Sequence, residues 1–277
     1  MRRSTTFVGT EASAGTETAR RRIGAVLAAE LICAVFLVSG PQLATPGPAV
    51  AAPASEARPA QLPGTRSVST PDGRSAELVD LGAAGAAALL DRIAVELPGA
   101  TQAVTAFWGP DWRRDISIVV AGSAEQFATL AGGGPDIAAT TTAERIMFSP
   151  GATSMNDDDL RIVLRHELFH YAARTDTASD APVWLTEGVA DYVGRPPAPT
   201  PPAAPVALPT DAELATPGPG RSAAYDRAWE FATYVADTYG AEKLRALYIA
   251  ACGHGHADMA TATRAALGVD LSEVLGR

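Results

Sequence analysis

Residues 163–173 read VLRHELFHYAA and set His166, Glu167 and His170 in the order H-E-x-x-H. The chain has 4 histidines in 277 residues, and two of them stand one helical turn apart. On a helix, positions i and i+4 share a face, so both imidazoles can reach a single metal ion. The ion expected from such ligands is Zn²⁺, one per chain. Glu167, beside the first histidine, would point toward a water on the zinc, whose pKa the metal lowers to about 7. Glu167 would take a proton from that water and pass it to a leaving amine, as general base and then general acid. With 4 His and 14 Glu in the chain, composition alone would produce this pattern about 3 times in 1000 such sequences, before any demand for a helix. The competing reading is a surface helix with incidental histidines.

A catalytic zinc takes a third protein ligand and leaves a fourth position open. Glu187, in WLTEGVADY, is the candidate ligand. Asp191 follows at i+4 and is placed to orient a ligand imidazole through its other ring nitrogen. Trp184, Leu185, Val189 and Tyr192 would draw Glu187 inward; otherwise it is a solvated glutamate. His254 and His256, in CGHGHADM, lie in a Gly-rich connection, and no zinc role is expected of them. The two cysteines, Cys33 and Cys252, form neither a disulfide framework nor a Cys-rich zinc motif. Any metal must be held by His and carboxylate.

The elements that must position these groups are legible. NDDDLRIVLRHELFHYAAR, residues 156–174, predicts a helix capped by Asn156 or Asp157, with acids crowding its first turn. Leu160, Val163, Leu164, Leu168 and Tyr171 would form its apolar stripe. VWLTEGVADYVG, residues 183–194, reads as a short helix around Glu187. Residues 73–81 and 115–122 read as strands, and 143–151 as another, ended by Pro150 and Gly151. Residues 83–109 carry apolar positions at helical spacing, which Pro98 and Gly99 would break into two pieces. SAEQFATLAGGG reads as a helix with Ser123 as N-cap and Gln126 at N3 of a capping box. Residues 195–210 are a Pro-rich excursion. The stretches beginning at Ala224 and Thr261 are helical. The expected class is α+β: a small twisted sheet on one side, with the H-E-x-x-H helix across a cleft from a helical C-terminal half. The folded domain is expected over 73–277.

Ahead of it, RRR at 20–22, the apolar run 23–40 and a small-residue site at Ala49–Val50–Ala51 resemble a secretory signal. The run is also nearly as long as the roughly 20 apolar residues of a membrane span, so a retained signal-anchor is the alternative. Either way the domain lies outside the cytoplasm, because positive charges stay inside. Residues 1–52 are thus a leader, and 53–72, rich in Pro and Ala, a disordered linker. The net charge of -9 supplies no basic footprint for a nucleic acid.

H-E-x-x-H followed by WLTEGVADY resembles the gluzincin zinc metallopeptidases, the clan of thermolysin and the membrane-alanyl-type aminopeptidases. The resemblance covers roughly residues 73–277, with sharp motifs in 163–193 and softer ones in 225–247. It implies a zincin-like fold and peptide-bond hydrolysis, probed by a peptide or protein substrate. It implies Glu187 as third zinc ligand and Asp191 as the acid behind the ligand shell. It also implies a Tyr or His downstream of Glu187 as oxyanion donor. Tyr225 is the candidate for that role, with core packing the alternative reading. The resemblance further implies that the strand before the zinc helix borders the cleft; RIMFS, residues 145–149, would be that edge strand. Only 16 residues separate His170 from Glu187, fewer than in the large aminopeptidases, and a G-x-M-E-N exopeptidase signature is missing, so an endopeptidase is expected. The rival functions are a catalytically silent zincin-like domain that binds extracytoplasmic proteins, and an anchored interaction protein whose H-E-x-x-H is accidental.

Overall fold

The computed structural model describes residues 64–198, 203–216 and 218–276. The leader, with its apolar run 23–40, lies outside the described residues. Among the described residues, no helix is long and apolar enough to cross a membrane.

Five strands form one mixed sheet: β1 (Gly64–Ser69), β2 (Ser75–Asp80), β3 (Asp115–Val120), β4 (Ala139–Thr141) and β5 (Ile146–Phe148), in the order β1-β2-β3-β5-β4. β2, β3 and β5 run parallel, while β1 and β4 pair antiparallel at the two edges. Side chains on a strand alternate between faces, and that alternation divides the core. Ile116, Ile118 and Val120 of β3 enter the main core. Val119 and Ala121 face the other way, with Phe127 and Met147, into a smaller one. Helix α2 (Ala124–Ala131) covers that second face, starting at Ser123, whose hydroxyl accepts the Gln126 N–H. Gln126 reaches back to the Gly122 N–H at 2.7 Å, one residue earlier than a standard capping box.

The helices of the main core are α1 (Ala86–Trp108), α3 (Asp157–Ala173), α4 (Val183–Gly194), α5 (Asp211–Ala215), α6 (Pro219–Tyr239), α7 (Ala241–Cys252), α8 (Met259–Leu267) and α9 (Leu271–Val274). α1 packs along α3, α3 along α4, and α4 along α6. The class is α+β, as expected from the sequence.

Three expectations change. The proposed linker 53–72 runs too far, because β1 starts at Gly64 and pairs along the whole of β2. Pro98 does not split the helix of residues 83–109: α1 is continuous with Pro98 inside it. An interior proline costs a helix about 3 kcal/mol. Here Leu89, Leu90, Ile93, Leu97, Ala100 and Val104 are all buried on one side, and that packing outweighs the local penalty. The third change concerns the strand at 143–151. It is only Ile146–Phe148, it gives way to a 3₁₀ turn at Pro150–Ser154, and it lies inside the sheet. The edge on that side is β4, so RIMFS is not the edge strand. Register explains this: β5 pairs with β3 through Ile118–Val120, and β4 folds back on its free side.

Candidate metal centre

α3 opens as its sequence requires. The Asn156 side chain accepts the Asp159 N–H at 2.9 Å, and Asp157, Asp158 and Asp159 fill the first turn, where the helix dipole favours negative charge. Further along, Leu160, Val163, Leu164, Leu168 and Phe169 are fully buried. His166 and His170, four residues apart, share a face, and their rings meet edge-on with centroids 4.7 Å apart.

α4 brings the carboxylates to that face because two glycines let it approach closely. A Cβ on Gly194 would stand 2.9 Å from the Ile162 carbonyl and 3.4 Å from His166 Cβ, so the end of α4 lies directly on α3. A Cβ on Gly188 would stand 2.5 Å from the Ala228 carbonyl, so α6 backs α4 just as tightly. Asp191 sits between these two contacts, and Glu187 immediately precedes Gly188.

His166, His170 and Glu187 each aim one ligand atom at a common point. His166 Nε2 is 3.0 Å from His170 Nε2 and 3.3 Å from Glu187 Oε2, and His170 Nε2 is 3.4 Å from Glu187 Oε1. A tetrahedral zinc with bonds of about 2.0–2.1 Å would hold its donors about 3.3 Å apart. The spacing therefore fits that ion.

Hydrogen bonding fits it as well. His166 Nδ1–H donates to Asp191 Oδ1 at 2.9 Å, which leaves the Nε2 lone pair facing Glu187. Glu187 Oε2 is buried and makes no hydrogen bond. His166 Nε2, which also meets His170 Nε2 at 3.0 Å, stands 3.3 Å from this oxygen, and a cation placed among the three would satisfy them together. The three carboxylates of the cluster, Glu167, Glu187 and Asp191, are buried, and Arg195 is the buried cation bonded to it among the described residues. Burial pushes the Glu187 carboxyl up, but the His170 and His166 imidazoles beside it outweigh this and hold the carboxyl well below the usual range.

Glu167 is buried beside His166, 2% exposed. Its carboxylate accepts the Thr141 hydroxyl from β4, and the same hydroxyl lies 2.9 Å from the Glu167 carbonyl. Next to His170, whose ring lies 6.0 Å from that of Phe169, the buried Trp108, Phe169 and Tyr248 pack edge to face with centroids 5.4–5.7 Å apart.

Of the residues singled out in the sequence, the structure thus gathers His166, Glu167, His170, Glu187 and Asp191. Tyr225 is wholly buried on α6 within the main core, the position of a packed tyrosine. His254 Nε2 meets the Thr175 carbonyl at 3.1 Å and His256 Nε2 stands 3.5 Å from Asp180. Among the described residues, neither joins a metal-holding group. Cys252 is buried, and burial pushes its thiol up, which suits neither a ligand nor a nucleophile.

Sequence reasoning missed Thr141 and Arg195. The β-branched run TTT at 140–142 signals a strand, though not its partner. Arg195 stands at i+4 from Asp191, a spacing that pairs charges on a helix. Compared with known families and curated proteins, the chain matches no family model and no curated sequence.

Proposed function

We propose that this chain is a zinc-dependent metallopeptidase of the gluzincin type, acting on peptide or protein substrates outside the cytoplasm. The observation that carries this reading is the convergence of His166, His170 and Glu187, with the buried Glu187 Oε2 3.3 Å from His166 Nε2. Zinc, when bound there, supplies a Lewis acid that polarises a substrate carbonyl and activates water.

The residues around it divide the remaining work. His166, His170 and Glu187 hold the ion. Asp191 fixes the His166 ring through Nδ1–H. Glu167 takes a proton from the attacking water and returns it to the leaving amine, and Thr141 keeps its carboxylate in place. β4 is the terminal strand beside Glu167, so an extended substrate would pair with β4. Tyr225 stays the candidate oxyanion donor of this reading, though its burial favours the packing role. The leader at 1–52 would export the domain or tether it to the membrane through residues 23–40.

One observation favours a second reading. Glu167 is 2% exposed, and a site so enclosed also suits a silent zincin-like domain that keeps its metal for structure and binds other proteins.

The deciding experiment is zinc stoichiometry on the full chain beside Glu187→Ala. One zinc per chain, with a sharp loss of affinity in the variant, is expected. No zinc in either protein would end the metallopeptidase reading and leave HELFH an accident of a helix. One zinc without hydrolysis of any denatured protein or peptide mixture would favour the silent domain.

A further inference from the structure

Behind the ligands runs a second layer of contacts that the motif does not contain. Asp191 is fully buried. Its Oδ1 accepts from the His166 ring at 2.9 Å, and its Oδ2 stands 2.6 Å from Arg195 Nη2. That second contact is close but poorly aligned for a hydrogen bond, so it acts as an ion pair. Arg195 follows the last turn of α4 and donates its backbone N–H to the Asp191 carbonyl at 2.8 Å. Its Nη1 donates to Asp226 of α6 at 2.9 Å, and its guanidinium lies over the Trp229 ring, 5.2 Å from the centroid. Burial would weaken the Arg195 charge, but Asp191 and Asp226 more than reverse this and raise its pKa.

We propose that Arg195 is a positioning residue for the metal centre: it locks the Asp191 carboxylate, and through it the His166 ring, in the orientation that presents Nε2 to the ion. The inference rests on the metal-centre reading above. The physical reason is the cost of a buried carboxylate. With Oδ1 engaged by His166, Oδ2 must find a positive partner or the whole group is driven to rotate or to draw in water. Arg195 is that partner, and it is itself held from three sides, by Asp226, by Trp229 and by its own backbone bond. A guanidinium suits this place, because its planar fork reaches two carboxylates and its face stacks on an indole. A lysine ammonium in the same place is a single point charge. Groups that orient a ligand histidine in this way typically contribute 10- to 100-fold in metal affinity. A run of contacts thus joins α6 to α3 through Asp226, Arg195, Asp191 and His166, and within it the Arg195–Asp191 pair is what sets the His166 ring.

Arg195 also borders a cavity of about 460 Å³, shared with Phe107, Tyr192, Pro196, Trp229 and Asp237. Shortening the side chain therefore enlarges an existing space and leaves the close-packed core intact, so the variant is expected to fold.

The test is Zn²⁺ affinity, measured on the full-length protein by competition with a chromophoric chelator. The proteins compared are the wild type, Arg195→Met, Arg195→Lys, Asp191→Asn, the Asp191→Asn/Arg195→Met double variant and Asp226→Asn. Arg195→Met is expected to bind zinc about 10- to 100-fold more weakly, with Arg195→Lys between it and the wild type. In the Asp191→Asn background the Arg195→Met change should produce no further loss, because Arg195 acts through Asp191. Asp226→Asn, which removes the second carboxylate's charge and leaves the Arg195–Asp191 pair and the Trp229 stack, should shift zinc affinity less than Arg195→Met. Wild-type affinity in Arg195→Met would overturn the proposal. So would independent, multiplying losses in the double variant, or an Asp226→Asn loss equal to that of Arg195→Met, since either would reduce Arg195 to a strut between helices. A wild type that binds no zinc would instead remove the metal-centre reading itself, an outcome distinct from these.

Discussion

Thr141 and Glu167, 26 residues apart, are joined twice over: the threonine hydroxyl on β4 reaches both the carbonyl and the carboxylate of the glutamate on α3. Glu167 is buried, and through this bond the edge strand helps to set the direction in which the carboxylate points. A general base works only within hydrogen-bond reach of the proton it removes. Thr141→Val keeps the shape and deletes the hydroxyl. Zinc content is expected to stay at one per chain, with kcat falling about 10-fold and KM nearly unchanged, as loss of orientation at the base would give. An unchanged kcat, or zinc lost along with activity, would show that the bond serves only the fold.

Glu167→Gln tests the base itself. The amide fills the same volume and still accepts from Thr141, but it cannot take a proton. Because Glu167 is not among the converging ligand atoms, the variant should bind zinc like the wild type. Its turnover should fall about 100-fold or more, the usual worth of general acid–base catalysis. Turnover equal to the wild type would reassign the role.

Gly188→Ala tests how α4 is seated. The new methyl would stand 2.5 Å from the Ala228 carbonyl, a backbone atom that no rotamer change can move. α4 must then shift away from α6, carrying Glu187 with it. A loss of about 1–3 kcal/mol in unfolding free energy is expected from such overpacking, measured by urea denaturation. A weaker zinc affinity should accompany it. A variant as stable as the wild type would mean that the two helices have slack at this crossing.

The residues of the candidate metal centre were largely legible in the residue string, because their spacing is local. H-E-x-x-H needs nothing beyond 3.6 residues per turn to put two imidazoles on one face, and Asn156 followed by acids marks where that helix starts. Glu187 and Asp191 could be named for the same reason, since both sit on one short helix at i and i+4. The order of strand-like and helical segments pointed to the α+β class that the structure has.

Tertiary structure decided what depends on residues distant in sequence. Pro98 should end a helix by its own stereochemistry, yet α1 runs through it because an apolar face is buried on both sides of the proline. The threonine run at 140–142 hints at a strand but not at its place; Ala139–Thr141 are the sheet edge because β5 pairs with β3 on one side and with β4 on the other. Thr141 and Arg195 gained their roles in the same way. A threonine in a run of threonines and an arginine at a helix end are ordinary residues until packing sets them against Glu167 and Asp191, and burial then makes each contact hard to replace.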